Sequence, residues 1–200
     1  MGLENRTEGN FITILQGKLC KRVEKGSEGA EERVNKLGNT VYERFYDSFK
    51  GTLVSIRVQD GSYGKTWNFG LSDNGELYTL QLSYSNSFAT QFLKMLPNID
   101  VSKPIRISPS TKMVDGKNQS SLFINQDGKP IKHAYTKDTP NGLPDMKQVL
   151  IKGESIWDDS DRLEFLHNMV MTTIVPKLGG TTEVVEATTD VSEEVEDVPF

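Results

Sequence analysis

Three stretches between Leu53 and Tyr84 alternate apolar and polar residues with a period of two, and turn residues separate them. Leu53 to Gln59 sets Val54, Ile56 and Val58 against Ser55, Arg57 and Gln59. Thr66 to Leu71 groups Trp67, Phe69 and Leu71, and Glu76 to Tyr84 groups Tyr78, Leu80, Leu82 and Tyr84. Successive side chains of a strand point to opposite faces, so this alternation predicts half-buried strands, with turns at Asp60-Gly61 and Asp73-Asn74-Gly75. The period changes at Ser87 to Leu96, where Phe88, Phe92, Met95 and Leu96 fall on one helical stripe. Ser87 is placed to cap this helix and Pro97 to end it.

Alternation returns at Pro104 to Ser108, with Ile105 and Ile107 against Arg106 and Ser108, and at Ser121 to Asn125 before an Asp127-Gly128 turn. The predicted order is strand, strand, strand, helix, strand, strand. That is the order of a five-stranded, partly open OB barrel, which often binds single strands across one face. An SH3-like barrel or a small sandwich also suits this many strands. Upstream, Phe11 to Val23 reads as a strand, Lys21 to Thr40 as a loop and Thr40 to Phe49 as a returning strand, together an N-terminal β-ribbon. Downstream, a loop at Thr139 to Asp145 precedes a second helix, Ser160 to Val175, with Leu163, Leu166, Val170 and Ile174 on one face. Asp158, Asp159 and Asp161 at its start oppose the positive end of its dipole, and Pro176 and Gly179-Gly180 end the folded region. The chain is therefore expected to be mainly β. Residues 1–180 form one domain with its ribbon and C-terminal helix, and residues 181–200 form a disordered tail.

The tail prediction rests on charge. From Thr181 to Phe200 there are seven carboxylates (Glu183, Glu186, Asp190, Glu193, Glu194, Glu196 and Asp197) and no Lys or Arg. Such a segment lacks the apolar surface to offset the entropy of ordering. The chain holds 28 acids and 23 bases. With the seven set aside, 21 acids remain against all 23 bases, a body charge of about +2, so an anionic partner needs a local groove rather than a globally positive surface.

The tail closes on Asp197-Val198-Pro199-Phe200, where one apolar ring and the α-carboxylate follow a proline, a combination suited to a small pocket rimmed by Lys or Arg. This ending resembles the acidic tip, closing in Asp-Ile-Pro-Phe, of bacterial single-stranded DNA-binding proteins and the Phe-terminated acidic tails of their phage counterparts. The resemblance implies a phage-type protein that coats and protects unpaired DNA during replication, recombination or repair. It also implies that Asp197, Val198, Pro199 and Phe200 recruit partner proteins. An apolar ring at the extreme end costs solvation unless something receives it, which favours docking over a purely solubilising tail.

Single-strand binders need a charged path for phosphates interleaved with flat rings for unpaired bases. Tyr42, Arg44 and Tyr46 alternate and are expected to share one face of a strand. Arg57, Arg106, Phe123 and Lys132 point away from the apolar sides of theirs, and Lys65 and Lys112 lie near strand ends, as do Lys18, Lys21, Arg22 and Lys117. Trp67 and Phe69 are assigned to the core. A non-enzymatic structural or adaptor protein of a virus particle or replisome is the alternative reading.

Other chemistries lack their residues. Gly61-Ser62-Tyr63-Gly64-Lys65-Thr66 ends like a phosphate-binding loop, but Gln59 stands where the first glycine is needed and a strand follows instead of a helix. Cys20, His133 and His167 are too few and too scattered for a structural zinc, and the Asp158 to Asp161 cluster is accounted for by the helix start. No nucleophile signature is visible, so no catalysis, metal or cofactor is expected. One cysteine precludes an intrachain disulfide, and no apolar run approaches a membrane span, which predicts a cytoplasmic protein with no membrane partner. Exposed edges of the ribbon give it a route to a homo-oligomer.

Overall fold

A computed structural model describes residues 9–35, 37–151 and 153–179. The protein is mainly β. Ten strands form one sheet: β1 (Asn10–Leu15), β2 (Lys18–Arg22), β3 (Glu31–Val34), β4 (Thr40–Tyr46), β5 (Phe49–Gly61), β6 (Gly64–Asp73), β7 (Glu76–Ser83), β8 (Pro104–Val114), β9 (Lys117–Gln126) and β10 (Lys129–Pro130). They lie in the order β10-β9-β8-β5-β6-β7-β1-β2-β4-β3, and among the described residues the sheet is not closed into a barrel. The predicted succession of three strands, a helix and two strands is present as β5, β6, β7, α1 (Ser87–Met95), β8 and β9.

Four of the hairpins use the same local device. Gln16-Gly17, Asn74-Gly75, Asp115-Gly116 and Asp127-Gly128 each place two consecutive residues at positive φ, between 49° and 86°. That is the conformation of the tight two-residue turn whose twist matches its strands. Gly17 is needed for space as well, because a Cβ there would collide with the Thr111 main-chain nitrogen where the β1–β2 turn packs on β8.

The core lies on one face of the sheet. Register aligns Ile12, Leu80, Phe69 and Ile56 across four strands, and all four are buried. Helix α1 covers them with Phe88, Ala89, Phe92 and Leu93, the Phe92 ring 4.6 Å from that of Phe69. Burial of a row this apolar is the main favourable term in folding, at roughly 1.5–3 kcal/mol per large side chain. Trp67 and Phe69 are core residues, as expected.

Several expectations need correction. Val54 does not share a face with Ile56: a bulge between Leu53 and Ser55 sets Leu53 opposite Leu71 and Ile56 opposite Phe69, leaving Val54 as the extra residue. The stretch from Phe11 to Val23 is a hairpin rather than one strand, because Gln16-Gly17 turns it. The loop expected from Lys21 to Thr40 contains β3, which pairs with β4, so the ribbon is a four-stranded extension of the sheet. Asn86, not Ser87, caps α1, its side chain accepting from the Phe88 amide. Helix α2 (Ser160–Met169) continues through a π turn at Val170–Ile174 and a 3-10 turn at Val175–Leu178, which contains Pro176. The chain leaves the helix at Gly179, whose φ is 75°. A separate hairpin, β11 (Lys147–Ile151) and β12 (Glu154–Asp158), precedes α2 where no strand was expected.

Helix α1 also protects an edge. At Ser120 and Leu122, strand β9 has no strand neighbour on its outer side among the described residues, and Gln91 takes that place: its amide donates to the Ser120 carbonyl at 3.0 Å and accepts from the Leu122 amide at 2.9 Å. Gln91→Ala is therefore expected to cost about 1–3 kcal/mol in urea unfolding and to speed hydrogen exchange at the Leu122 amide. Unchanged exchange there contradicts this role.

Candidate nucleic-acid interface

The sheet face opposite the core is built by alternation along β8 and β9. Ile105, Ile107, Leu122 and Ile124 point inward and are buried, so Arg106, Ser108, Ser110 and Lys112 and their cross-strand partners point outward. Register gives the rows Lys50–Arg106–Asn125, Ser108–Phe123, Ser110–Ser121 and Lys112–Gln119. None of these positions holds Asp or Glu. Phe123 is 56% exposed although it stands between two buried residues, and Arg106 donates to the Ser48 hydroxyl at 3.4 Å. From Arg106 to Lys112 the cations span about 20 Å of strand. The arrangement is a path of three cations and hydroxyl or amide groups around one flat ring, suited to phosphates and a stacked base.

The remaining predicted positions fall in other places. Tyr42, Arg44 and Tyr46 do share one face of β4, across from Glu32, Lys21 and Leu19 respectively. Much of that cluster is already occupied within the protein. Lys25 sits over the Tyr42 ring at 5.8 Å, and Lys21 sits over Tyr78 at 5.7 Å while donating to Asn10 Oδ1 at 2.6 Å. The Tyr78 hydroxyl donates to Glu76 at 2.8 Å, which, with burial, pushes it up to about 12. Tyr46, 39% exposed, is the most open ring of the three. Arg57 is exposed in an outer row with Asn68 and Gln81, whose side chains bond at 2.8 Å. Lys65 lies over Tyr84 at 5.8 Å, and that ring stacks on Trp67. Lys132 is exposed beside β9, where the Ile131 amide donates to the Ile124 carbonyl. The structure thus unites Arg106, Lys112 and Phe123, with Lys132 adjoining, and keeps the β4 trio separate. Asp197, Val198, Pro199 and Phe200 lie outside the described residues.

Lys50 and two rings were not anticipated. Tyr63, at the β5–β6 turn, is 72% exposed, and Trp157, on β12, is 58% exposed. Turn position was a usable signal for Tyr63, whereas Trp157 lay in a stretch read as a helix start. At that start the N-cap residue is Asp159, which makes no side-chain capping bond; Asp158 before it accepts from the Ser160 amide, and Asp161 pairs with Lys147. Among the described residues no group of three or more His, Cys, Asp or Glu side chains is placed to hold a metal, and no helix is long and apolar enough to cross a membrane.

Behind β4 lies a feature that the sequence did not announce. Glu43 is buried, pairs with Arg33 at 2.8 and 3.1 Å, and stands near Cys20. Burial, then the Glu43 charge, pushes the Cys20 thiol up to about 12. Compared with family models, curated proteins and solved structures, the chain finds no match.

A thiol that holds its proton this tightly when folded is expected to resist a disulfide reagent at pH 8 and to react once the chain is unfolded in urea. Because its folded pKa lies above the ordinary 9.0, its contribution to stability is full below pH 9.0 and is lost as pH rises toward about 12. Rapid labelling of the native protein at pH 8 contradicts this assignment.

Proposed function

We propose that the protein binds single-stranded DNA, coating and protecting unpaired strands during phage replication, recombination or repair. On this reading β5 to β9 form an OB-like unit. The ladder β9-β8-β5-β6-β7 corresponds to fifth, fourth, first, second and third strands of that fold, open between the third and the fifth. The observation that carries the proposal is the acid-free outer face on which Lys50, Arg106 and Lys112 surround exposed Phe123. Cations there neutralise phosphates and the ring stacks a base, an interaction with little sequence preference. The Asp197 to Phe200 ending supports a second role, recruitment of replication or recombination proteins, and the cytoplasm is the compartment that fits both.

An adaptor role is favoured by a different surface. The β11–β12 hairpin exposes Leu150, Ile156 and Trp157, a set of side chains more typical of a protein contact than of a phosphate path. Affinity for oligonucleotides separates the two readings.

Fluorescence anisotropy with thymidine oligomers at two salt concentrations is expected to show binding that weakens with salt, each contacted phosphate contributing about -0.7 to the logarithmic slope. Phe123→Ala is expected to weaken binding by about 1–3 kcal/mol, and Arg106→Ala to flatten the slope by about 0.7. A protein that ignores oligomers at low salt contradicts the proposal and leaves the adaptor role. Deleting residues 181–200 removes seven negative charges that compete for the same face. It is expected to tighten DNA binding and abolish capture of partner proteins; unchanged values for both would reduce the segment to a solubiliser.

A further inference from the structure

A cavity of about 690 Å³ opens where the end of α1, the segment 133–145 and the start of α2 meet. Its charged groups are unbalanced. Lys94, Lys137 and Arg162 line it together with His133, and Asp145 is the one acid among the lining residues. Burial, and then the neighbouring Arg162 charge, hold the Lys94 ammonium below its ordinary range, while Asp159 partly offsets them. Burial and Lys94 likewise push His133 down. The Nε of Arg162 is buried with no hydrogen-bond partner among the described residues. Two cations facing one cavity, one with an unused buried donor, are stabilised by an anion placed between them.

A bare anion does not account for the rest of the cavity. Its other wall is apolar, with Leu143, Pro140, Pro144 and the ring of Tyr135, which is fixed edge-on against Phe165 at 5.5 Å. An anionic group joined to a flat apolar body matches both walls, and the volume is within the range of small-molecule sites. The cavity lies on the side of the sheet that α1 covers, and its wall is joined by the chain to β9. The segment from Ile131 to Ala134 runs back beside β9, bonded to it at Ile124 and to α1 at the Lys94 carbonyl, and it carries exposed Lys132 between them.

We propose that this cavity is a nucleotide subsite, taking one phosphate-bearing nucleotide of a bound strand with its phosphate between Lys94 and Arg162 and its base against Tyr135 and Leu143. The link to a strand rests on the single-strand reading above; the ligand chemistry does not.

The test is isothermal titration of the full chain with thymidine 5′-monophosphate, with thymidine, and with thymidine oligomers, comparing the wild type with a Lys94→Met, Arg162→Gln double variant. The monophosphate is expected to bind the wild type, with thymidine about tenfold weaker or more because it lacks the charge-assisted contacts. The double variant is expected to lose the monophosphate and to flatten the oligomer salt slope by about 0.7. Its melting temperature is expected to hold or rise, because mutual repulsion is removed, whereas a merely structural role for the pair predicts a fall. Failure of the wild type to bind the monophosphate overturns the subsite, and so does equal binding by the variant. A peptide of residues 190–200 that binds at these two cations without competition from the monophosphate also overturns it, giving the cavity to the acidic segment. Oligomer binding that Phe123→Ala weakens and the double variant leaves intact sinks the subsite and spares the function. Monophosphate binding by a chain that ignores oligomers does the reverse and keeps the cavity as a mononucleotide site.

Discussion

Strand β5 carries the architecture because two different neighbours depend on it. Its first residues, Phe49 to Thr52, pair with β8, and from Thr52 to Gly61 it pairs with β6. The bulge between Leu53 and Ser55 lies at the handover. A bulge bends its strand and increases local twist, so one continuous strand can serve two differently directed parts of a sheet. Gly51 and Gly70 relieve crowding on either side: a Cβ at Gly51 would press on the Phe49 ring and the Ser72 carbonyl, and one at Gly70 would strike the Ser55 hydroxyl. The handover also brings Lys50 beside Arg106, joining a cation from β5 to the outer face of β8 and β9.

Charge is distributed differently on the two parts of the sheet. In the N-terminal extension, cations are largely satisfied within the protein: Arg33 by Glu43, Lys18 by Asp47, Lys21 by Asn10 and the Tyr78 ring. On β8 and β9 the outward rows contain hydroxyls and amides in place of acids. Surface ion pairs contribute little to stability, so a face whose cations have no ion pair among the described residues costs the fold little and leaves its field available to a polyanion.

Strand periodicity made the central part of the fold legible. β6, β7 and α1 alternate or stripe cleanly because each sends its large apolar side chains to the core face, and the same alternation points Arg106 and Phe123 outward, whereas Lys112 is marked by its place near a strand end. Other elements were hidden for identifiable reasons. The Gln16-Gly17 turn lacks the usual Asn or Asp before its glycine, which concealed the β1–β2 hairpin. In β5, Gly51 and the bulge at Val54 break the period, and that is why Lys50 was missed. In β3 and the β11–β12 hairpin the side chains are largely exposed or polar, so no apolar alternation marks them; backbone pairing alone makes them strands. The β4 trio was placed on one face correctly, but sequence could not reveal that Lys25 and Lys21 had already taken up neighbouring rings.

The most direct test of the account is photo-crosslinking of a thymidine oligomer to the full chain, with the attached peptides identified by mass spectrometry. A strand held on this face is expected to crosslink on β9 at Phe123. Crosslinks confined to Tyr42, Tyr46 or Trp157, or none at low salt, would contradict the claim that the acid-free face of β8 and β9 receives the strand.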